Sequence, residues 1–368
     1  MKATRDRIEF LDGLRGLAIL MVIIWHAYGT TYADFLPYHD RYAVLPIRVF
    51  WVGVELFFLI SGFVITMTLE RCSSLLEFGV RRWLRLFPAM LVASLVILGY
   101  DLTIGVGPHA QRTVINLLPG LSFISPAIIH TLTGLSIESM DGTFWSLYVE
   151  VSFYFVFALL FFRLGLLTAI GLIFGFSVLA CAMGYVASFG LNDGLFGRIA
   201  AMLDWLGIVH FGWFASGALF YEYFRTQRPA FFFVAICFGT VAALDWKPSF
   251  FSVTDRIALL SVVGVFALTI CSTQLQRTLA ARPLVFAGFI SYPLYLIHDN
   301  ISVGLTNLLG RAVPSLPPLL YPVVPIMLVT TGAFLIAKYA EPMLRNTLNA
   351  WTGPIWMRAS PGYARSGD

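Results

Sequence analysis

Apolar stretches of about twenty residues recur along this chain, and nothing else in it restricts the fold as strongly. Inside a bilayer each backbone N–H and C=O must be satisfied within its own segment, so about 20 consecutive apolar residues read as one spanning helix. The run Gly16–Ala33 holds no formally charged residue. Similar runs follow into the last quarter of the chain, where 58% of all 368 residues are hydrophobic and only 12% charged. A soluble domain carries about 25% charged residues. The chain is therefore expected to be all-α, a polytopic membrane protein with a bundle of about ten transmembrane helices. The spans are placed near 12–32, 48–69, 86–104, 143–162, 164–189, 199–224, 229–245, 257–274, 284–309 and 318–338.

Lysine and arginine orient such a bundle, because their excess marks the cytoplasmic side. With the N-terminus cytoplasmic, sixteen of the 24 fall inside and seven outside, and Arg15 lies in the membrane. Both termini are thus expected in the cytoplasm, with the chain in the cell inner (plasma) membrane. Met1–Leu14 carries charges of both signs and no small-residue cleavage site follows the first run, which is expected to stay as a helix. Residues 1–345 read as one membrane domain and 346–368, with Pro354 and Pro361, as a short cytoplasmic tail. Gly105–Gly142 is broken by Pro108, Pro119 and Pro126 and reads as a re-entrant or interfacial segment on the outer side. The net charge of +4 gives no support to nucleic-acid binding. Cys72, Cys181, Cys237 and Cys271 form no CxxC pair and read as buried structural thiols; no metal is indicated.

An ionisable group within a spanning run is costly and usually marks a cavity or pathway. Arg15 and His26 are the first such pair. Eleven residues at about 100° each bring them to one helix face, about 16 Å apart along the axis, with the imidazole near mid-depth. His26 has the pKa of a general base, or could bond another helix. Asp12, three residues before Arg15, could cap the helix start, pair with the arginine or help bind substrate. In RRWLRLFPAM, Arg81 and Arg85 share a face and Arg82 lies close to Arg85. Arginine suits bidentate phosphate binding, so a phosphorylated cytosolic donor could dock there, although the positive-inside rule alone also produces such clusters.

Glu150, seven residues into an apolar run, could hold the His26 tautomer, accept from a substrate hydroxyl, pair with an arginine or simply bond another helix. His298 and Asp299 follow SYPLYLI and are read as the wet outer end of a helix, or as contacts to an acceptor outside the cytoplasm. Glu55 is similarly open. His210 and Asp204, six residues apart, point in opposed directions and read as packing. No GxSxG, HExxH, Walker or CxxC motif occurs, which removes the signatures of the commonest soluble chemistries.

Taken in order, FLDGLRGLAILMVIIWH, FFLISGFVIT, RRWLRLFP, FWSLYVEVSFY and SYPLYLIH resemble the motifs of the membrane acyltransferase 3 family, and the resemblance covers nearly the whole chain. It implies about ten transmembrane helices that move an acyl group, commonly acetyl, from cytosolic acyl-CoA to an acceptor hydroxyl, often on a sugar. It also implies that His26 is the catalytic histidine, that Glu150 matches the family's glutamate, and that Arg15, Arg82 and Arg85 support the donor. Val151 and Ser152 stand where many members have Glu-Gln. The hydrolase domain that some members carry at the C-terminus has no counterpart here, which implies that the membrane part performs the entire reaction. The leading expectation is an acyl-CoA-dependent O-acyltransferase acting on a lipid-linked or surface saccharide, with Glu150 or His298 facing outwards to orient the acceptor. The alternatives are a transporter or flippase for a glycolipid or small solute, and a scaffold within a polysaccharide assembly complex.

Overall fold

In the computed structural model, residues 8–187, 189, 194–245 and 252–359 are described. The first half of the chain forms α1 (Glu9–Tyr28), α2 (Gly53–Leu69), α3 (Leu75–Thr103), α4 (Leu117–Ser122), α5 (Pro126–Thr133), α6 (Trp145–Leu164) and α7 (Leu166–Ala187). The second half forms α8 (Gly194–Trp205), α9 (Phe211–Thr226), α10 (Pro229–Asp245), α11 (Val253–Cys271), α12 (Thr273–Leu279), α13 (Arg282–Ile297), α14 (Asp299–Ala312), α15 (Val323–Leu335) and α16 (Glu341–Ala359). Among the described residues seven helices are long and apolar enough to cross a membrane, and ten if three bent helix pairs each count as one span. This is an all-α, polytopic membrane protein.

Local chemistry sets the helix ends. Ser74 accepts from the Glu77 N–H to start α3, and Ser252 does the same for Asp255 at α11. Glycine at φ 81° ends α6. The principal pairings are α1 on α13, α2 on α9 and α9 on α10. Phe63, Phe153, Phe157, Phe214 and Phe266 fill the interior they share. Phe155, Leu167, Leu179, Phe233 and Leu268 are exposed around the outside, where a bilayer would cover them.

The structure departs from the sequence expectations in several places. Helix α1 stops at Tyr28 rather than continuing to residue 32, because the chain leaves helical geometry at Gly29 and turns through residues 29–46. His26 is consequently in the last turn of α1, not midway along a longer span. The ninth expected span is two helices, α13 and α14, meeting at His298, and α12 bends from α13 by 66°. Gly105–Gly142 contains no straight crossing: Val114–Ser122 and α5 meet at 105°, a broken span or re-entrant loop. Helix α16 runs through the boundary expected at residue 345, and residues 360–368 of the expected tail lie outside the described residues. Cys72 is buried as expected, but Cys237 and Cys271 are exposed on the outside of the bundle.

Candidate active site

The site is assembled by the close approach of α1 and α13. A Cβ at Gly16 would collide with the Leu284 carbonyl, and one at Gly288 with the Asp12 carbonyl, so only glycine lets the two backbones touch. This contact carries the end of α1 to the α13–α14 junction. There His26, 7% exposed, meets His298 and Asp299, both fully buried.

Hydrogen bonds determine the tautomers of both imidazoles. A carbonyl oxygen only accepts, so His298 Nδ1, 2.9 Å from the Tyr295 oxygen, carries a proton, and so does His26 Nδ1, 3.0 Å from the Val22 oxygen. His26 Nδ1–H also donates to His298 Nε2 at 3.0 Å. Neutral His26 therefore keeps its lone pair on Nε2, which faces Asp299 Oδ1 at 3.9 Å. That carboxylate oxygen is buried and makes no hydrogen bond among the described residues. The other oxygen, Oδ2, accepts from Tyr32 O–H at 2.7 Å and lies 3.6 Å from His109 Nε2.

Asn300 ties the surrounding segments together. Its N–H donates to Asp141 Oδ2 and its side-chain amide to Asp101 Oδ1, both at 3.1 Å, while its amide oxygen accepts from the His109 N–H at 2.9 Å. Three carboxylates thus converge near three imidazoles. The hydrogen bond to Asp299 pushes the His109 pKa above the ordinary imidazole value, against the opposing effect of burial. Burial, and then the charge of Asp299, raise the Asp141 carboxyl. Burial and Asp299 also raise the Tyr32 hydroxyl, which stays a proton donor. Among the described residues no three His, Cys, Asp or Glu side chains converge as metal ligands would.

A second centre lies at the other end of α1. A cavity of about 110 Å³ is lined by Arg15, Arg82, Arg85 and Glu150, and its wall includes Tyr295 and Ser146. Glu150 accepts from Ser61 and, at 2.6 Å, from Tyr154. Arg82 donates to Thr68, with its guanidinium 5.7 and 5.6 Å from the Phe78 and Tyr154 ring centres. Arg15 holds Asp12 at 3.0 Å. Arg85 is shared with a neighbouring cavity of about 460 Å³ lined by Arg71, Arg81, Arg345, Asn346 and Asn349. Arg81 pairs with Glu77 at 2.5 Å, and Glu341 lies between Arg345 and, at 3.6 Å, Arg85. The hydroxyls of Ser146 and Tyr295, 2.8 Å apart, stand between the arginine-lined cavity and the histidine cluster.

The candidates named from the sequence divide into these two groups. Arg15, Arg82, Arg85 and Glu150 share one cavity, with Arg81 at its neighbour. Glu150 does not hold the His26 tautomer or face away from the arginines: its partners are Ser61 and Tyr154, and His298 occupies the place beside His26. His298 is not a wet helix end, because the break at residue 298 turns it inward onto α1. Asp12 pairs with Arg15 rather than capping α1, whose N-cap is Ile8. Glu55 is buried, and His210 packs against Phe58 and Trp145. Sequence reasoning missed Tyr32, His109 and Asp141, which reach the site from loops, and Ser61, Tyr154 and Tyr295, which looked like ordinary residues of apolar helices. The three prolines around His109 and Asp141, which forbid a straight span, were the available signal for the first group.

The chain is 24% identical to an O-acetyltransferase OatA of Staphylococcus aureus over 91% of its own length and 57% of that protein's. It is 22% identical to a peptidoglycan O-acetyltransferase OatA of Listeria monocytogenes, covering 85% of this chain and 52% of that one. Nodulation protein 10 of Rhizobium leguminosarum bv. viciae is 34% identical over a shorter stretch, 28% of this chain and 30% of its own. The chain thus spans little more than half the length of the first two relatives. No solved structure matches it. The model of one family, described as an acyltransferase domain, matches residues 8–338 and so takes in both centres, and the chain belongs to that acyltransferase family.

Proposed function

We propose that this protein is an O-acyltransferase of the cell inner membrane, with both termini cytoplasmic, that moves an acyl group, acetyl by preference, from acyl-CoA to a saccharide hydroxyl. The observation that carries the reading is the His26 tautomer: Nδ1 is committed as a donor, so the basic lone pair is on Nε2, 3.9 Å from a buried carboxylate oxygen, and a hydroxyl beside the pair would meet both. An acceptor hydroxyl there gives its proton to Nε2 as its oxygen attacks the thioester carbonyl. The C–O bond forms, the C–S bond breaks, and the CoA thiolate leaves to take up a proton. Asp299 stabilises the imidazolium formed in the step.

The donor reading is supported by the arginines. Arg71, Arg81, Arg85 and Arg345 offer guanidinium groups for the phosphates of CoA, and Arg82 and Arg15 continue that charge into the inner cavity. The thin pantetheine arm then points along α1 towards the histidines. Glu150, Ser61 and Tyr154 position Arg82 and the arm. The names of the two O-acetyltransferase relatives support acetyl as the group, and the name of the Listeria one supports a cell-wall glycan as the acceptor.

The test is transfer from radiolabelled acetyl-CoA to cell-envelope glycans in membranes holding equal amounts of wild type or His26→Ala. Label should enter glycan with wild type and be lost with His26→Ala. Undiminished transfer by the variant would remove His26 from the mechanism. Movement of a glycolipid without acceptor-dependent release of CoA would instead make the protein a flippase.

A further inference from the structure

Beside the histidine cluster, between α6 and α8, lies a third cavity of about 500 Å³. Its lining includes His109 and Asp141, so it opens directly onto the network centred on Asp299. Trp145 and Trp205 line it while remaining 41% and 40% exposed. Trp145 is held from behind by Phe58 and His210, with ring centres 6.2 and 5.3 Å away, which fixes the orientation of its free face. Polar groups stand beside these rings: Asp204 precedes Trp205, Glu138 is paired with Arg112, and Tyr148 shares a hydrogen bond of 2.7 Å with Ser139.

This composition suits a particular chemistry. A pyranose ring presents an apolar face of C–H groups and a rim of hydroxyls. Flat aromatic faces cover the first, and carboxylates with their several lone pairs accept from the second. A phosphorylated donor is disfavoured here, because three carboxylates line the cavity against one arginine that is already paired. A bilayer-interface belt also exposes tryptophans, but belt residues lie on a convex outer surface and do not line a concavity that reaches a buried catalytic cluster.

We infer that this cavity is the acceptor subsite, in which Trp145 and Trp205 stack on saccharide rings, Asp204 and Glu138 receive their hydroxyls, and His109 and Asp141 mark the entrance towards His26. The inference rests on the transfer reading above and adds where the acceptor sits. Trp205 is then a residue that binds the acceptor rather than one that acts on the reacting atoms.

The experiment uses the purified full chain in detergent and soluble glycan strands of peptidoglycan as the probe. In the transfer assay, Trp205→Ala should raise the glycan KM about tenfold, the size of one lost stacking contact. Its kcat and the KM for acetyl-CoA should stay within about twofold, and Trp205→Phe should restore most of the glycan KM. Saturation-transfer NMR reads binding without turnover and keeps the two proposals separable. Saturation of glycan protons by wild type but not by Trp205→Ala supports the subsite even if no acetyl transfer is seen, in which case only the reaction reading fails. An unchanged glycan KM in Trp205→Ala, or no saturation transfer from wild type, overturns the subsite.

Discussion

At the scale of single residues, the decisive feature is that two ordinary carbonyl oxygens dictate where the protons of two imidazoles sit. His298 accepts from His26 Nδ1 and Asp299 lies opposite Nε2, where in the proposed reaction it would stabilise the charge that forms on the imidazole during transfer. Removing that charge in Asp299→Asn should lower kcat on the order of 10²-fold or more, with little change in glycan KM. A variant retaining full kcat would show that the imidazolium needs no carboxylate. His298→Ala deprives His26 of its lone-pair acceptor and should also lower kcat. His298→Gln can accept through its amide oxygen and should recover part of the rate with a shifted pH profile, whereas equal loss in both variants would assign His298 a packing role alone. His26 was legible in the sequence because an ionisable group in a charge-free apolar run stands out. Its partners were harder to see, since Tyr32, His109 and Asp141 belong to polar loops where such residues are ordinary.

At the scale of elements, the site depends on how closely α1 approaches α13. Gly288 lies against the Asp12 carbonyl, where no side chain fits. Gly288→Val should therefore separate the helices, at a destabilisation of about 1–3 kcal/mol typical of overpacking, and abolish transfer. Gly264 in α11 has nothing within 4 Å of the site of a Cβ, so Gly264→Ala should leave both activity and the detergent melting temperature intact. Melting curves and transfer rates of the two variants check this; equal behaviour would mean that the α1–α13 contact does not organise the site. Apolar length predicted the spanning helices well. It did not reveal that the ninth stretch breaks at His298, because Ile297 and Ile301 continue the apolar pattern across a junction whose purpose is to turn a histidine and an aspartate inward.

At the scale of the whole molecule, the two centres lie towards opposite ends of α1, arginines at one and histidines with carboxylates at the other, and the loops 29–46 and 105–142 close over the second. His109 links that closure to pH. Its pKa is raised in the folded protein by Asp299, so its contribution to stability is complete below the ordinary imidazole pKa and is lost as pH rises through the folded value. The melting temperature of wild type in detergent should consequently fall from mildly acidic to mildly alkaline pH, and His109→Gln should flatten that dependence. A dependence of the same size in His109→Gln would place the sensitive group elsewhere.

The sequence by itself determined that the chain is a membrane bundle, roughly where its helices run, and that Arg15, His26 and the arginines of α3 are the charged groups to explain. Those properties follow from the solvent: in lipid, apolar length sets the spans and every buried charge is conspicuous. Only the tertiary structure decided that His26 is oriented by His298 rather than Glu150, that Glu150 belongs with the arginines, and that Asp204 and Trp205 come to line a cavity opening on the histidines. These are contacts between residues far apart in the chain. They depend on which backbones can touch at glycine and on where loops fold back, and neither is written in the periodicity of any one segment.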